Sequence, residues 1–161
     1  MSFERCTKNQ RANAKQTSKT NVNSQSSAKL KTNSAQLDFD LHQQVVNIIV
    51  GERMRHQQYS KLIKEHNGIP LITEAFVHQT NNRSYFENQL KNSDIVILVQ
   101  NYNKHNTSKT ITNICNQNQQ KFAISNSLGL QSIEQAIYRA NQTLPAYEPV
   151  NSTIDYPMLV K

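Results

Sequence analysis

Three short polar clusters hold the residue types from which a binding or catalytic site is made. They are Gly51-Glu52-Arg53, Asn101 with Asn103-Lys104-His105, and Ser125-Asn126-Ser127 with Gly129. Amides, hydroxyls and two cations on polar turns, two of them with a glycine, suit recognition of phosphate or carboxylate groups. His105 is the most suggestive single residue, because a loop histidine can hold an anion or shuttle a proton near neutral pH. No serine or cysteine stands fixed beside it as a nucleophile, and no carboxylate is spaced to orient it. The plainer reading of His105 is a loop or helix-capping residue, and no catalytic residue is assigned.

Other chemistries fit less well. Gly51 stands alone, without the further glycines that a phosphate-binding loop or a dinucleotide fingerprint needs for close approach of backbone to phosphate. ATP hydrolysis and hydride transfer are therefore not expected, nor is any cofactor. His105 and Cys115 are ten positions apart. On one helix that separation is about 15 Å, far beyond the reach of one zinc ion. Cys115 reads as a small core residue, and Cys6 lies in the basic leading segment. His42, His56, His66 and His78 show no shared ligand spacing, so no metal site is expected.

The elements that must position these clusters follow from apolar periodicity. Val45–Val50 is an apolar run closed by Gly51, as a buried parallel strand would be, with Asn47 as its one flaw. A helix over His56–Glu65 places Tyr59, Leu62 and Ile63 on one face. Asn67-Gly68 ends it, since both residues tolerate a left-handed cap. Ile69–Ile72 gives a second strand. Ser84 and Glu87 have capping-box spacing, which predicts a helix over 85–91. Ile95–Val99 is the most apolar run and reads as the central strand. A helix over 107–116 turns Ile111, Ile114 and Cys115 inward. Lys121–Ser125 forms the fourth strand. Gly129 introduces a last helix, Leu130–Ala140, with a stripe of Leu130, Ile133, Ile137 and Ala140.

This alternation predicts an α/β fold: three layers around a four-stranded, mostly parallel sheet, flavodoxin-like or Rossmann-like. With strand order 2-1-3-4, all three clusters fall beyond the carboxyl ends of the strands, where open sheets of this class bind ligands. Two of the connections lead into helix N-termini, whose free N–H groups and partial positive charge favour an anion.

The stretch SDIVILVQNYNKHNTSKTITNICNQNQQKFAISNSLGLQSIEQAI, within Asn92–Ala140, resembles a family of small bacterial proteins, domain of unknown function 2325. The family pattern runs from an apolar strand through T-D-x-x-S-H to a helix with K-x-x-C-K. It continues through a strand to R-x-x-G-x-S-S-L at the last helix. His105, Cys115, Gly129 and Ser132 match that pattern, and Val45 to about Ile72 looks like its opening strand-glycine-helix unit. The resemblance covers roughly 45–141 and implies the fold and register. Asn101 stands for the family's Asp, Lys104 for its Ser, Thr112 and Asn116 for its two lysines, and Asn126 for its Arg. Charge is lost at most of these positions, and the family supplies no activity to carry over.

Charge and composition organise the rest. Of a net charge of +7, residues 1–37 carry +6 and the remaining 124 residues only +1. The hydrophobic fraction of 36% is low for a fully folded chain. Residues 1–40, rich in Lys, Asn, Gln, Ser and Thr, are expected to form a disordered basic tail. Residues 43–141 are expected to be the α/β domain, and 142–161 an extended C-terminal segment whose Tyr147, Tyr156, Met158 and Leu159 could dock. Weak, non-specific contact of nucleic acid with residues 1–40 would be strongly salt-dependent. Phe3 and Phe39 are the only aromatic residues available there for base stacking. No run approaches the ~20 apolar residues of a membrane span. The start lacks the apolar core of a secretory signal, and two unpaired cysteines suit a reducing cytoplasm. An edge strand or the last helix could support a homodimer. The function expected is a cytoplasmic, non-catalytic binding or regulatory module with an anion site at the strand ends. A nucleic-acid accessory protein acting through its tail, and an enzyme using His105 as acid or base, are the alternatives.

Overall fold

Four mainly apolar runs become four strands, and the two central ones, β1 and β3, are covered on both sides. The structure, a computed structural model, describes residues 35–51, 55–75, 82–100, 103 and 105–160. Among them the elements run β1 (Val45–Val50), α1 (His56–Glu65), β2 (Ile69–Glu74), α2 (Arg83–Leu90), β3 (Ile95–Val99), α3 (His105–Gln117), β4 (Lys121–Ser125) and α4 (Leu130–Asn141). The strands form one sheet in the order β2-β1-β3-β4, and every pairing is parallel. The predicted order and fold class are both met.

The period-2 alternation of side chains divides the strands between two cores. Val46, Ile48, Val50, Ile95, Ile97, Val99 and Ala123 pack with α1 and α4 on one face. Ile49, Val96, Leu98 and Ile124 pack with Phe86, Leu90, Ile111, Ile114 and Cys115 of α2 and α3 on the other. The result is three layers. No helix among the described residues is long and apolar enough to cross a membrane.

Asn47, the polar flaw in β1, is fully buried and fully used. Its amide donates to Gln89 O (3.3 Å) and Ser93 Oγ (3.1 Å), and its Oδ1 accepts from Thr73 Oγ1 (2.9 Å). A buried amide with its bonds made costs the fold little.

Local expectations are corrected in three places. The cap of α2 is Asn82, whose Oδ1 accepts from Tyr85 N at 3.0 Å, and not Ser84. Glu87 instead pairs with Arg83, one turn before it. At the end of α1 the left-handed residue is Asn67 (φ 59°), and Gly68 has an ordinary φ. Gly68 is required for space: a Cβ there would lie 2.6 Å from Leu41 Cδ1 and 2.9 Å from Ile63 Cγ2.

The third correction concerns the chain ends. Residues 35–40, expected within a disordered tail, are packed: Ala35 and Leu37 are buried, and Phe39 packs against the α1/α4 core. Residues 1–34, including Cys6 and most of the net positive charge, lie outside the described residues. The C-terminal segment docks as well. Ala146 O accepts from Ile124 N (2.9 Å) along the outer edge of β4. Arg139, almost wholly buried, donates to Tyr156 Oη (3.0 Å), Glu148 Oε2 (3.2 Å) and Ile124 O (2.8 Å). Tyr147 and Met158 remain exposed.

Candidate functional site

Because β1 leads to a helix on one face and β3 to a helix on the other, the sheet has its switch point between β1 and β3. Asn103 sits there. Its two amide protons go to Ile49 O (3.3 Å) and Val99 O (2.7 Å), the carbonyls at the ends of those strands, while Oδ1 is buried without a partner. Of this predicted site residue, then, the amide clamps two strand ends together.

His105 opens α3 and is exposed; Cys115 lies near the other end of the same helix and is buried. The first turn of α3 has no acidic residue to occupy its N–H groups. Thr107 is fully buried, yet its Oγ1 has no hydrogen-bond partner, and neither has the buried Oγ of Ser108. In helices such hydroxyls ordinarily return to a backbone carbonyl, so two idle hydroxyls at one helix start are unusual.

Beside them lies a cavity of ≈310 Å³ lined by Gln100, His105, Ser108, Lys109, Thr112, Asn113 and Tyr147. Its walls come from the end of β3, one face of α3 and the C-terminal segment. Its size is at the lower end of small-molecule sites. Two larger openings, ≈600 Å³ and ≈410 Å³, have described walls from α1 and its preceding Arg55 alone.

The third predicted cluster is brought together but closed on itself. Ser125 Oγ donates to Ser127 O (2.8 Å), Gly129 N donates to Ser127 Oγ (3.2 Å), and Ser127 Oγ donates to Ser132 Oγ (2.8 Å). Asn126 is exposed. Arg55 Nη1 (3.3 Å) and Tyr59 Oη (2.9 Å) both donate to Leu128 O, tying the start of α4 to α1. Gly51 is described at the end of β1; Glu52, Arg53, Asn101 and Lys104 lie outside the described residues.

Sequence reasoning missed Arg55, Lys109, Ser108 and Tyr147. Lys109 and Ser108 were legible in principle, one turn into a helix whose start had been singled out. Tyr147 was not, because only the long-range docking of the C-terminal segment brings it to α3. The described lining has two nitrogen bases, two hydroxyls and three amide or phenol groups, with no carboxylate and no thiol. Such a lining donates hydrogen bonds and positive charge. Among the described residues, no three His, Cys, Asp or Glu groups are placed to hold a metal ion.

A family described as uncharacterized protein conserved in bacteria (DUF2325) matches residues 45–140, from the first residue of β1 to the last turn of α4. No curated protein and no solved structure matches the chain.

Proposed function

The chain belongs to the bacterial domain of unknown function 2325 family, and we propose that it is a non-catalytic cytoplasmic binding module for a small anionic ligand held at the start of α3. The observation that carries this reading is the idle hydroxyl of Ser108, at a helix N-terminus in the wall of a cavity that also holds His105 and Lys109, with the buried Thr107 Oγ1 likewise idle one residue before it. Free N–H groups and the helix dipole favour an anion there. Hydroxyl donors and Lys109 add bonds that a neutral ligand would not repay as well. Asn101 and Lys104, next to this turn in sequence, and Glu52 and Arg53 after β1 belong to the same proposed rim. Ser125, Ser127 and Gly129 enter it as a supporting wall, since their polar atoms already bond one another.

The test is thermal unfolding with a panel of nucleotides, phosphorylated sugars and carboxylic acids. A ligand present at about 100 times its Kd stabilises the fold by about 2.7 kcal/mol, a Tm rise of several degrees. That rise is expected for at least one phosphate-bearing compound and is expected to vanish in Lys109→Ala with His105→Ala. A rise that survives both substitutions would move the site elsewhere, and no rise with any anion would end the proposal.

One observation favours a second activity outside this site. The +6 carried by residues 1–37 is enough to attract polyanions. It supports weak, salt-sensitive contact with nucleic acid through the basic segment, lost on its removal.

A further inference from the structure

Glu134 interrupts the apolar face of α4. It is fully buried, and its Oε1 accepts from the backbone N–H groups of Gln36 (2.8 Å) and Leu37 (3.0 Å). The same oxygen lies 2.8 Å from Nε2 of His66, while Oε2 has no partner. His66, just beyond α1, is almost wholly buried, and its Nδ1 lies 3.1 Å from the carbonyl oxygen of Phe39. The ring of Phe39 stacks on the imidazole with centroids 3.8 Å apart. One carboxylate and one imidazole thus hold three residues of the leading segment, Gln36, Leu37 and Phe39.

A proton count decides what this arrangement needs. A carbonyl oxygen can only accept, so Nδ1 must carry a proton to bond Phe39. The contact between Nε2 and Oε1 needs one more, on either atom. The pair therefore holds two protons and is electrically neutral overall, as imidazolium with carboxylate or as imidazole with carboxylic acid. Losing one leaves a buried negative charge and turns a lone pair toward either the carboxylate or the Phe39 carbonyl. Gaining one leaves a buried positive charge. Either change is costly away from water.

We infer that His66 and Glu134 form a proton-gated latch that fastens residues 35–40 to the α1/α4 face and lets them go when the pair gains or loses a proton. The release reaches the other end of the chain. Asp38 N donates to Pro157 O (2.7 Å) and Leu159 N to Gln36 O (2.9 Å), with Leu37 opposite Met158. Undocking the first segment removes the partner of the last.

The other charged groups nearby are separately engaged. Glu65, at the end of α1, accepts from Ala35 N (2.9 Å) and pairs with Lys61 (3.6 Å) at the surface. Asp40 is exposed and accepts from Asn67 (3.2 Å), with His42 3.7 Å away. The backbone N–H of His42 holds the Asp40 carboxyl below its ordinary range, so it stays ionised through neutral pH. Arg139, further along α4, is committed to Glu148, Tyr156 and Ile124 O. Among the described residues, only the His66–Glu134 ion pair is both buried and shared between the leading segment and the domain.

Hydrogen exchange of the full chain, followed by mass spectrometry between about pH 5 and about pH 9, tests the latch. Rates are normalised to the intrinsic rate at each pH. Protection of residues 36–41 is expected to be highest in mid-range and to fall about tenfold per pH unit once the shared proton is lost, while β3 amides keep theirs. His66→Gln keeps a donor without a titrating ring proton, so the fall of protection on the alkaline side is expected to disappear, while the acid side, where Glu134 can still gain a proton, is expected to remain. Constant protection in the wild type, loss in parallel with β3, or an unchanged profile in His66→Gln would overturn the latch. If that variant does not fold, nitrogen NMR of the wild-type imidazole decides. Protons at Nδ1 and between Nε2 and Oε1, on either atom, support the latch; no proton between Nε2 and Oε1 with residues 36–41 still protected overturns it.

Discussion

Cys115 faces the second core layer with no exposed surface, and burial pushes its thiol up from 9.0 to about 12. The thiolate is the reactive form, so the native protein should leave Cys115 unmodified by an alkylating reagent that labels it fully in denaturant; peptide mapping reads both. The same shift has a sign in stability. Above about pH 9 the unfolded thiol ionises while the folded one stays protonated until about pH 12. The folded state then binds more protons, and stability falls with rising pH by about 1.4 kcal/mol per unit across that window. Cys115→Ala should remove this part of the alkaline loss, measured as the difference between urea midpoints of the two proteins. Asn47 and Glu134 follow a different rule at the same scale. Each is polar and buried, and groups from distant segments supply the bonds of the Asn47 amide and of Glu134 Oε1.

At the scale of elements, α2 separates two readings of one local sequence. Asn82 makes the capping bond, and Ser84 lies one residue inside the helix, exposed. Asn82→Ala should cost about 1 kcal/mol in urea unfolding, and Ser84→Ala almost nothing; the reverse result would restore the capping box. The strands were legible because each centres on a short apolar run bounded by polar or glycine junctions. Three of the four have the predicted bounds, Val45–Val50, Ile95–Val99 and Lys121–Ser125, and β2 extends to Glu74. Caps were less legible because neighbouring Asn and Ser residues compete for the same orphan N–H groups, and spacing alone does not choose between them. The start of α3 could be placed by topology, but its idle hydroxyls could not.

At the scale of the molecule, α4 carries two buried ionisable side chains that a stripe of Leu130, Ile133, Ile137 and Ala140 does not announce. Glu134 binds the segment before β1, and Arg139 binds the segment after α4. Nothing local marked residues 35–40 as folded, because their partners are as far as 98 positions away at Glu134 and further still at Pro157 and Leu159. The charge asymmetry adds a division of labour: a nearly neutral α/β unit bears the proposed anion site, and the leading basic segment bears the excess charge.

The central claim is that the α3 rim holds a small anion, and native mass spectrometry of the protein purified gently from its own host tests it most directly. The account predicts a bound species of small mass carrying phosphate or carboxylate, lost in Lys109→Ala. A bare protein that also takes up no added anion would contradict it.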